Sequence, residues 1–413
     1  MTVLIINIGC LVNTRDNNGI LKGRQLASLP CIENAFLLVE DDAIAAFGPM
    51  YELESFIPRL PKEIIDAGGQ FVLPGWCDSH THIVFAGSRE HEFVDKINGL
   101  SYAEIAARGG GILNSAGKLS RTGEDELFHQ AWNRLEELSK LGTVAIEIKS
   151  GYGLTVEGEL KMLRVIKKLK EKSPVAIRST FLGAHTYPVE FKDNHKGYID
   201  LVTREMLPVI AAEKLADYID VFCETGFFSP EEMEQVCRAG MALGLKPKLH
   251  VNQLNSIGGI QSAIGMNALS VDHLETMTGE DIACLAASGT IGTLLPTAAF
   301  FLRMPYQPAR ELIDAGCAIA LASDFNPGSS PSGNMNFVLA LSCIQMKMLP
   351  EEAINAATIN GAYAMGLEKI LGSISIGKKA SLLFTKQIPS LAYLPYAFGT
   401  NLVDRVMING TFI

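Results

Sequence analysis

Five clusters in the chain carry side chains that ligate a metal ion or move a proton: His80-Thr81-His82, His185, His250, Asp272-His273 and Asp324. Neutral imidazoles together with a carboxylate form the donor set of a catalytic divalent ion that keeps one position open for water. Such an ion lowers the pKa of its water to about 7, which makes hydroxide available at neutral pH. In the first cluster the two histidines stand one residue apart, after the apolar run Phe71 to Pro74. Side chains on a strand alternate faces, so His80 and His82 point the same way and can clasp one ion. An isolated His-x-His is more often a pair of polar residues where a strand runs into a loop; the later clusters reverse that in favour of a site.

The elements that must position these residues are legible as an alternation. Helical segments such as EDELFHQAWNRLEELSKLG and GELKMLRVIKKLKEK alternate with brief apolar strands, the pattern of repeated βα units. The strands are FVLPGWCDSH, TVAIEIKS, AIRSTFLGAH, YIDVFCE, KPKLHV, ALSVDHLE, GTIGTLLP and AIALASDF. Eight is the number that a (β/α)8 TIM-like barrel requires, and such a barrel carries its site at the C-terminal strand ends. His80, His82, Lys149, His185, Glu224, His250, His273 and Asp324 fall at those ends, whereas His91, His129 and His195 lie elsewhere. The fold class is therefore α/β. The first seventy residues and the last stretch read as short strands and turns, and together they form a small β-sandwich built from both chain ends. The expected division is a composite sandwich of residues 1–70 and 366–413 around a barrel of residues 71–365.

Composition narrows the partners. A chain of 413 residues is long enough for one large α/β domain with an accessory unit. A net charge of −10 argues against nucleic acid and anionic membrane surfaces. The eight cysteines lack CxxC spacing and sit mostly in apolar segments, as expected of reduced thiols in the cytoplasm. The N-terminal segment has neither a basic region nor a small-residue cleavage site, so no signal peptide is expected, and no apolar run approaches a membrane span.

The whole chain resembles the metal-dependent amidohydrolase superfamily, whose barrels carry His-x-His on strand one, histidines on later strands and an aspartate on strand eight. Within it, PGWCDSHTHIVFAGSREHEF, IEIKSGYGL, FLGAHTYPVE, SVDHLE and ASDFNPGSSPS are similar to the imidazolonepropionase family. The resemblance implies that water opens the five-membered ring of a small-molecule substrate, 4-imidazolone-5-propanoate (imidazolonepropionate), to give N-formimidoyl-L-glutamate in histidine degradation. It also carries the expectation of a homodimer.

On this basis His80, His82, His250 and Asp324 are the expected ligands of one Zn²⁺ or Fe ion per subunit; both metals suit the donor set. His273 is expected to polarise the ring carbonyl, and either Asp324 or His273 to deliver the proton to the leaving nitrogen. Strand four ends in Glu224 with no lysine, which favours a single metal and leaves a bridging carboxylate open. Lys149 reads as a barrel-mouth residue in an ion pair. Mononuclear deaminases of the superfamily typically have His-x-x-Glu where this chain has His250-Val251-Asn252-Gln253, and a glutamine cannot titrate. Gln253 is left a hydrogen-bonding role toward the substrate ring, and a heterocycle deaminase remains the alternative enzyme. A barrel kept only as a scaffold predicts missing ligands.

Arg89 can take the propanoate carboxylate through two parallel hydrogen bonds, or pair with the adjacent Glu90 and Glu92. By resemblance Tyr102, Tyr152 and His185 line the pocket. Asn326, Gly328 and Ser329 follow Asp324 and present amide, backbone and hydroxyl groups to the substrate; this segment and Gly151-Tyr152-Gly153 are alternatively plain turns. Gly109-Gly110-Gly111 lacks the context of a phosphate loop and reads as a flexible lid segment.

Overall fold

In the computed structural model, which describes residues 2–16, 19–100, 104 and 110–413, the strands sort into two eight-stranded sheets. Strands β1 (Thr2–Val12), β2 (Cys31–Glu40), β3 (Ala43–Pro49), β4 (Glu63–Asp66) and β5 (Phe71–Pro74) come from the N-terminal end. The barrel strands are β6 (Trp76–Thr81), β7 (Thr143–Lys149), β8 (Ala176–Ala184), β9 (Tyr218–Cys223), β10 (Lys246–Val251), β11 (Ser270–His273), β12 (Ile291–Leu294) and β13 (Ile319–Leu321). Strands β14 (Leu382–Thr385), β15 (Val403–Ile408) and β16 (Thr411–Phe412) return to the first sheet. That sheet buries its own core, in which Val3, Ile5, Leu37 and Val39 meet Leu382, Phe384 and Met407.

The stretch expected to be barrel strand one is two strands. Phe71–Pro74 pairs with β1 and β14 in the end sheet, and the barrel begins at Trp76. Gly75 is the hinge: a side chain there would collide with Val144 and approach Gly142 O to 3.0 Å. An apolar run does not reveal which sheet buries it, because both sheets accept the same residue types.

Within the barrel all neighbouring strands are parallel and follow one another in order. The ring closes through the site itself: Asp324 N donates to His80 O at 3.0 Å, and His82 N donates to Phe325 O at 2.8 Å. Amphipathic helices Glu124–Lys140 and Val156–Lys172 pack outside. Other helices begin on side-chain caps, Ser229 with Glu232 and Thr278 with Asp281, which satisfy the otherwise unpaired first-turn amides. No helix among the described residues is long and apolar enough to cross a membrane. Five of the eight cysteines (Cys10, Cys77, Cys223, Cys237 and Cys317) are buried and Cys31 is exposed.

Candidate active site

Alternation along the strands sends one set of side chains to the helices and the other into the barrel. On β7, Val144, Ile146 and Ile148 belong to the apolar core, while Glu147 and Lys149 join a buried polar network. Barrel interiors are usually filled by branched aliphatics; here Glu147, Lys149, Asp220, Lys248, Ser270 and Asp272 are all buried. Lys149 is therefore no mouth residue. It is fully buried, and its ammonium donates to Glu147 and Asp220, each at 2.8 Å, and lies 3.5 Å from Asp272.

Above this layer the ligand atoms of His80, His82 and His250 lie within 4.8 Å of one another, and those of His80, His273 and Asp324 do likewise. Asp324 Oδ1 is 3.5 Å from His80 Nε2 and 3.6 Å from His82 Nε2. His80 Nδ1 meets Asp272 Oδ2 and His250 Nδ1 meets Asp220 Oδ2, both at 2.7 Å. A carboxylate only accepts, so each Nδ1 carries the proton and each Nε2 keeps a free lone pair. Among the described residues His80 Nε2 is buried with no hydrogen-bond partner, a costly state for a polar atom that a cation beside it removes. Burial pushes His80, His82 and His250 well below the usual histidine pKa, with Lys149 adding to the effect at His80 and His250; all three are neutral and fit to ligate.

Two further residues carry backbone strain. His273 sits at φ 90° and Asp324 at φ 51°, left-handed conformations that cost of order 1–3 kcal/mol each and are held by their surroundings. Burial pushes the Asp324 carboxyl up to about 6, with His273 opposing it. His273 Nδ1 is 3.3 Å from Glu275 Oε1; burial lowers the imidazole pKa, but Glu275 and then Asp324 outweigh burial and leave it raised.

The ligand atoms open onto a cavity of about 590 Å³, lined on the site side by Tyr152, His185, Gln253, Asn326, Gly328 and Ser329. His185 is fixed by Nδ1 against Gly151 O at 3.0 Å, an approach that a side chain on Gly151 (φ 112°) would block. The 151–154 loop is no loose turn: Glu159 accepts from Gly151 N at 3.1 Å, Gly153 N at 2.7 Å and Leu154 N at 3.0 Å. Asn326 likewise shapes its own segment, accepting from Gly328 N and Ser329 N, each at 2.8 Å. Tyr102 lies outside the described residues, as does Gly109, while Gly111 donates to Glu92 at 3.1 Å.

Of the two readings of Arg89, the structure shows the ion pair, with Glu92 and not Glu90. The guanidinium lines the cavity and is bound by Glu92 through Nε at 2.9 Å and Nη2 at 2.6 Å. Glu224 reaches the loop after β10, accepting from Thr225 N, Leu254 N and both nitrogens of Asn255 at 2.8–3.1 Å, so both of its oxygens are hydrogen-bonded. Lys96, absent from the sequence expectations, stands in the cavity wall with Nζ 3.3 Å from Gly328 O and 5.5 Å from the centre of the Phe301 ring. Arg89, Phe93, Lys96 and Ile97 all line the cavity at the 4-3-1 spacing of one helix face, a signal that could have found Lys96. Asp220 and Lys248, at strand positions, and Glu275, just after β11, were likewise not singled out, because only the closed barrel establishes their burial.

A parallel eight-stranded barrel with histidines and an aspartate converging at its strand ends defines a hydrolase of the amidohydrolase class, built to hold a metal ion. The Amidohydrolase family model matches residues 223–413. An adenosine deaminase from Xanthomonas campestris, solved with bound zinc, superposes with a TM-score of 0.71 at 16% identity over 99% of this chain and 92% of its own, a likeness of fold. The imidazolonepropionase of Flavobacterium johnsoniae is 60% identical over the full length of both chains, and that of Flavobacterium psychrophilum 56% identical over the same span. The chain belongs to the imidazolonepropionase family.

Proposed function

We propose that the chain hydrolyses the cyclic amide C–N bond of 4-imidazolone-5-propanoate to give N-formimidoyl-L-glutamate, a step of histidine degradation. The observation that carries this reading is one cavity with converging metal-ligating atoms on one side and the Arg89 and Lys96 cations on another, a match for a flat ring bearing a propanoate. Relatives named imidazolonepropionase at 56–60% identity support the substrate.

In this reading His80, His82, His250 and Asp324 hold one Zn²⁺ or Fe ion per subunit, which when bound acidifies water and polarises the ring carbonyl. Arg89 has Nε and Nη2 on Glu92 and offers Nη1, beside Gly328, to the propanoate. Tyr152 and His185 wall the ring, Gln253 hydrogen-bonds it, and Asn326, Gly328 and Ser329 bound its far edge. Tyr102 belongs to the same proposal on its place in the sequence. His273, whose imidazole pKa Glu275 raises, donates in its protonated form to the oxyanion that develops on the carbonyl. Asp324 takes the proton of the attacking water and returns it to the leaving ring nitrogen; Ser329 Oγ, 3.2 Å from Oδ2, steadies that oxygen. The reaction is assigned to the cytoplasm and to a homodimer, without nucleic-acid or membrane partners.

The test is to follow the ultraviolet absorbance of fresh imidazolonepropionate with the metal-loaded chain and with His273→Ala. Rapid loss with formimidoylglutamate as product, reduced by roughly 10²–10³ in the variant, is expected. Ammonia as the product instead would establish the deaminase alternative, which Gln253 disfavours because it cannot carry protons to a departing amine.

A further inference from the structure

Beneath the candidate ligands, two carboxylates hold two histidines and one ammonium holds both carboxylates. Asp220 accepts from Nδ1 of His250 at 2.7 Å and from its backbone N at 3.0 Å. Asp272 meets Nδ1 of His80 at 2.7 Å with Oδ2 and accepts from Ser270 Oγ at 2.6 Å with Oδ1. Lys149 Nζ lies 2.8 Å from Asp220 Oδ2 and 3.5 Å from Asp272 Oδ2, so it touches the same oxygen atoms that grip the two imidazoles. It is fixed in turn by Glu147 Oε1 at 2.8 Å, an oxygen that also accepts from Thr180. All of these groups are buried to within one per cent exposure, except His250 at 3%. The histidines, the carboxylates and the lysine come from β6, β7, β9, β10 and β11, so one ammonium ties five strands together at the depth of the ligand rings.

We infer that Lys149 is a positioning residue for the metal site: its ammonium orients Asp220 and Asp272, and through them sets the ring plane and tautomer of His250 and His80 together. The inference rests on reading those histidines as ligands. The mechanism above assigns Lys149 nothing, and among the described residues it does not line the cavity. A buried charge retained at this depth, where branched aliphatics usually stand, calls for such a purpose, because two buried carboxylates without their shared cation would repel each other and release the imidazoles. The other buried lysine of this layer provides the comparison. Lys248 contacts Glu147 Oε2 at 3.1 Å, Ser270 Oγ at 2.7 Å and Ala364 O at 3.0 Å; its charge also acts on Asp272, but its hydrogen bonds go to Ser270 and not to the carboxylate that grips His80.

The experiment is to measure Zn²⁺ affinity by competition with a chromophoric chelator for the full chain, Lys149→Met and Lys248→Met, with the thermal midpoint of each metal-free form and the visible spectrum of each Co²⁺-loaded form. Lys149→Met is expected to weaken Zn²⁺ binding at least about tenfold, in the range seen for partners of ligating histidines, and to shift the cobalt bands. Lys248→Met is expected to lower the thermal midpoint while keeping the affinity within about threefold and the cobalt bands in place. Equal affinity in the full chain and Lys149→Met, or equal losses in the two lysine variants, would overturn the inference. If the full chain takes up no ion, the ligand assignment itself fails. Should Lys149→Met not fold, Asp220→Asn and Asp272→Asn singly and together decide it: a shared ammonium makes their costs in affinity non-additive, and additive costs refute the coupling.

Discussion

The Arg89 guanidinium occupies the space that a side chain on residue 328 would fill: a Cβ on Gly328 would overlap Nη1 and come within 2.8 Å of Cζ. Glycine at this position thus keeps the cation in the cavity wall. Gly328→Ala forces Arg89 to swing away, since the guanidinium is the movable partner. We expect KM to rise about tenfold or more with kcat changed much less, because the loss falls on binding of the carboxylate; steady-state kinetics with imidazolonepropionate checks this.

Glu275 is what raises the pKa of His273. Burial alone would lower the imidazole pKa, and the carboxylate 3.3 Å away reverses that. In Glu275→Gln the reversal is lost, so the ionisation of His273 moves to lower pH and the protonated donor disappears earlier as pH rises. The pH profile of kcat/KM should show its alkaline limb displaced toward acid; an unmoved limb would remove His273 from the proposed role.

Glu92 links the Arg89 subsite to stability. Burial pushes its carboxyl up, but hydrogen bonds from Arg89 and Asn114 outweigh burial and leave it below the usual carboxylate range. A carboxyl lowered in the folded state contributes stability that is present above its unfolded pKa, near 4.3, and lost as pH falls through the lower folded value. The stability difference between the natural chain and Glu92→Gln should therefore be full at neutral pH and shrink below about pH 4, as read by urea unfolding.

Removal of the ion should cost stability as well as activity. At a thousandfold excess over its dissociation constant a bound ion stabilises the fold by about 4 kcal/mol. For a chain of this length that is roughly 5 °C in Tm. Chelated protein should melt lower by that order and recover with Zn²⁺ or Fe²⁺, in a scan by differential scanning calorimetry.

That His80 and His82 come together was legible in the sequence because the alternation of an extended chain is local, even though β6 ends at Thr81. The eight βα units and the placement of polar residues at strand ends were readable for the same reason, as was a separate β unit built from both chain ends, expected as a sandwich and formed by one eight-stranded sheet. What the sequence could not decide is which side chains meet across strands. Lys149 looked like a mouth residue until barrel closure surrounded it with carboxylates from β9 and β11, 71 and 123 residues away. Phe71–Pro74 and Trp76–Thr81 looked like one strand until Gly75 divided them between two sheets. Side-chain type and spacing are set by the chain one residue at a time, whereas shear, closure and the burial of a charge are properties of the assembled barrel, and only there do a lysine and two aspartates become a support for histidines.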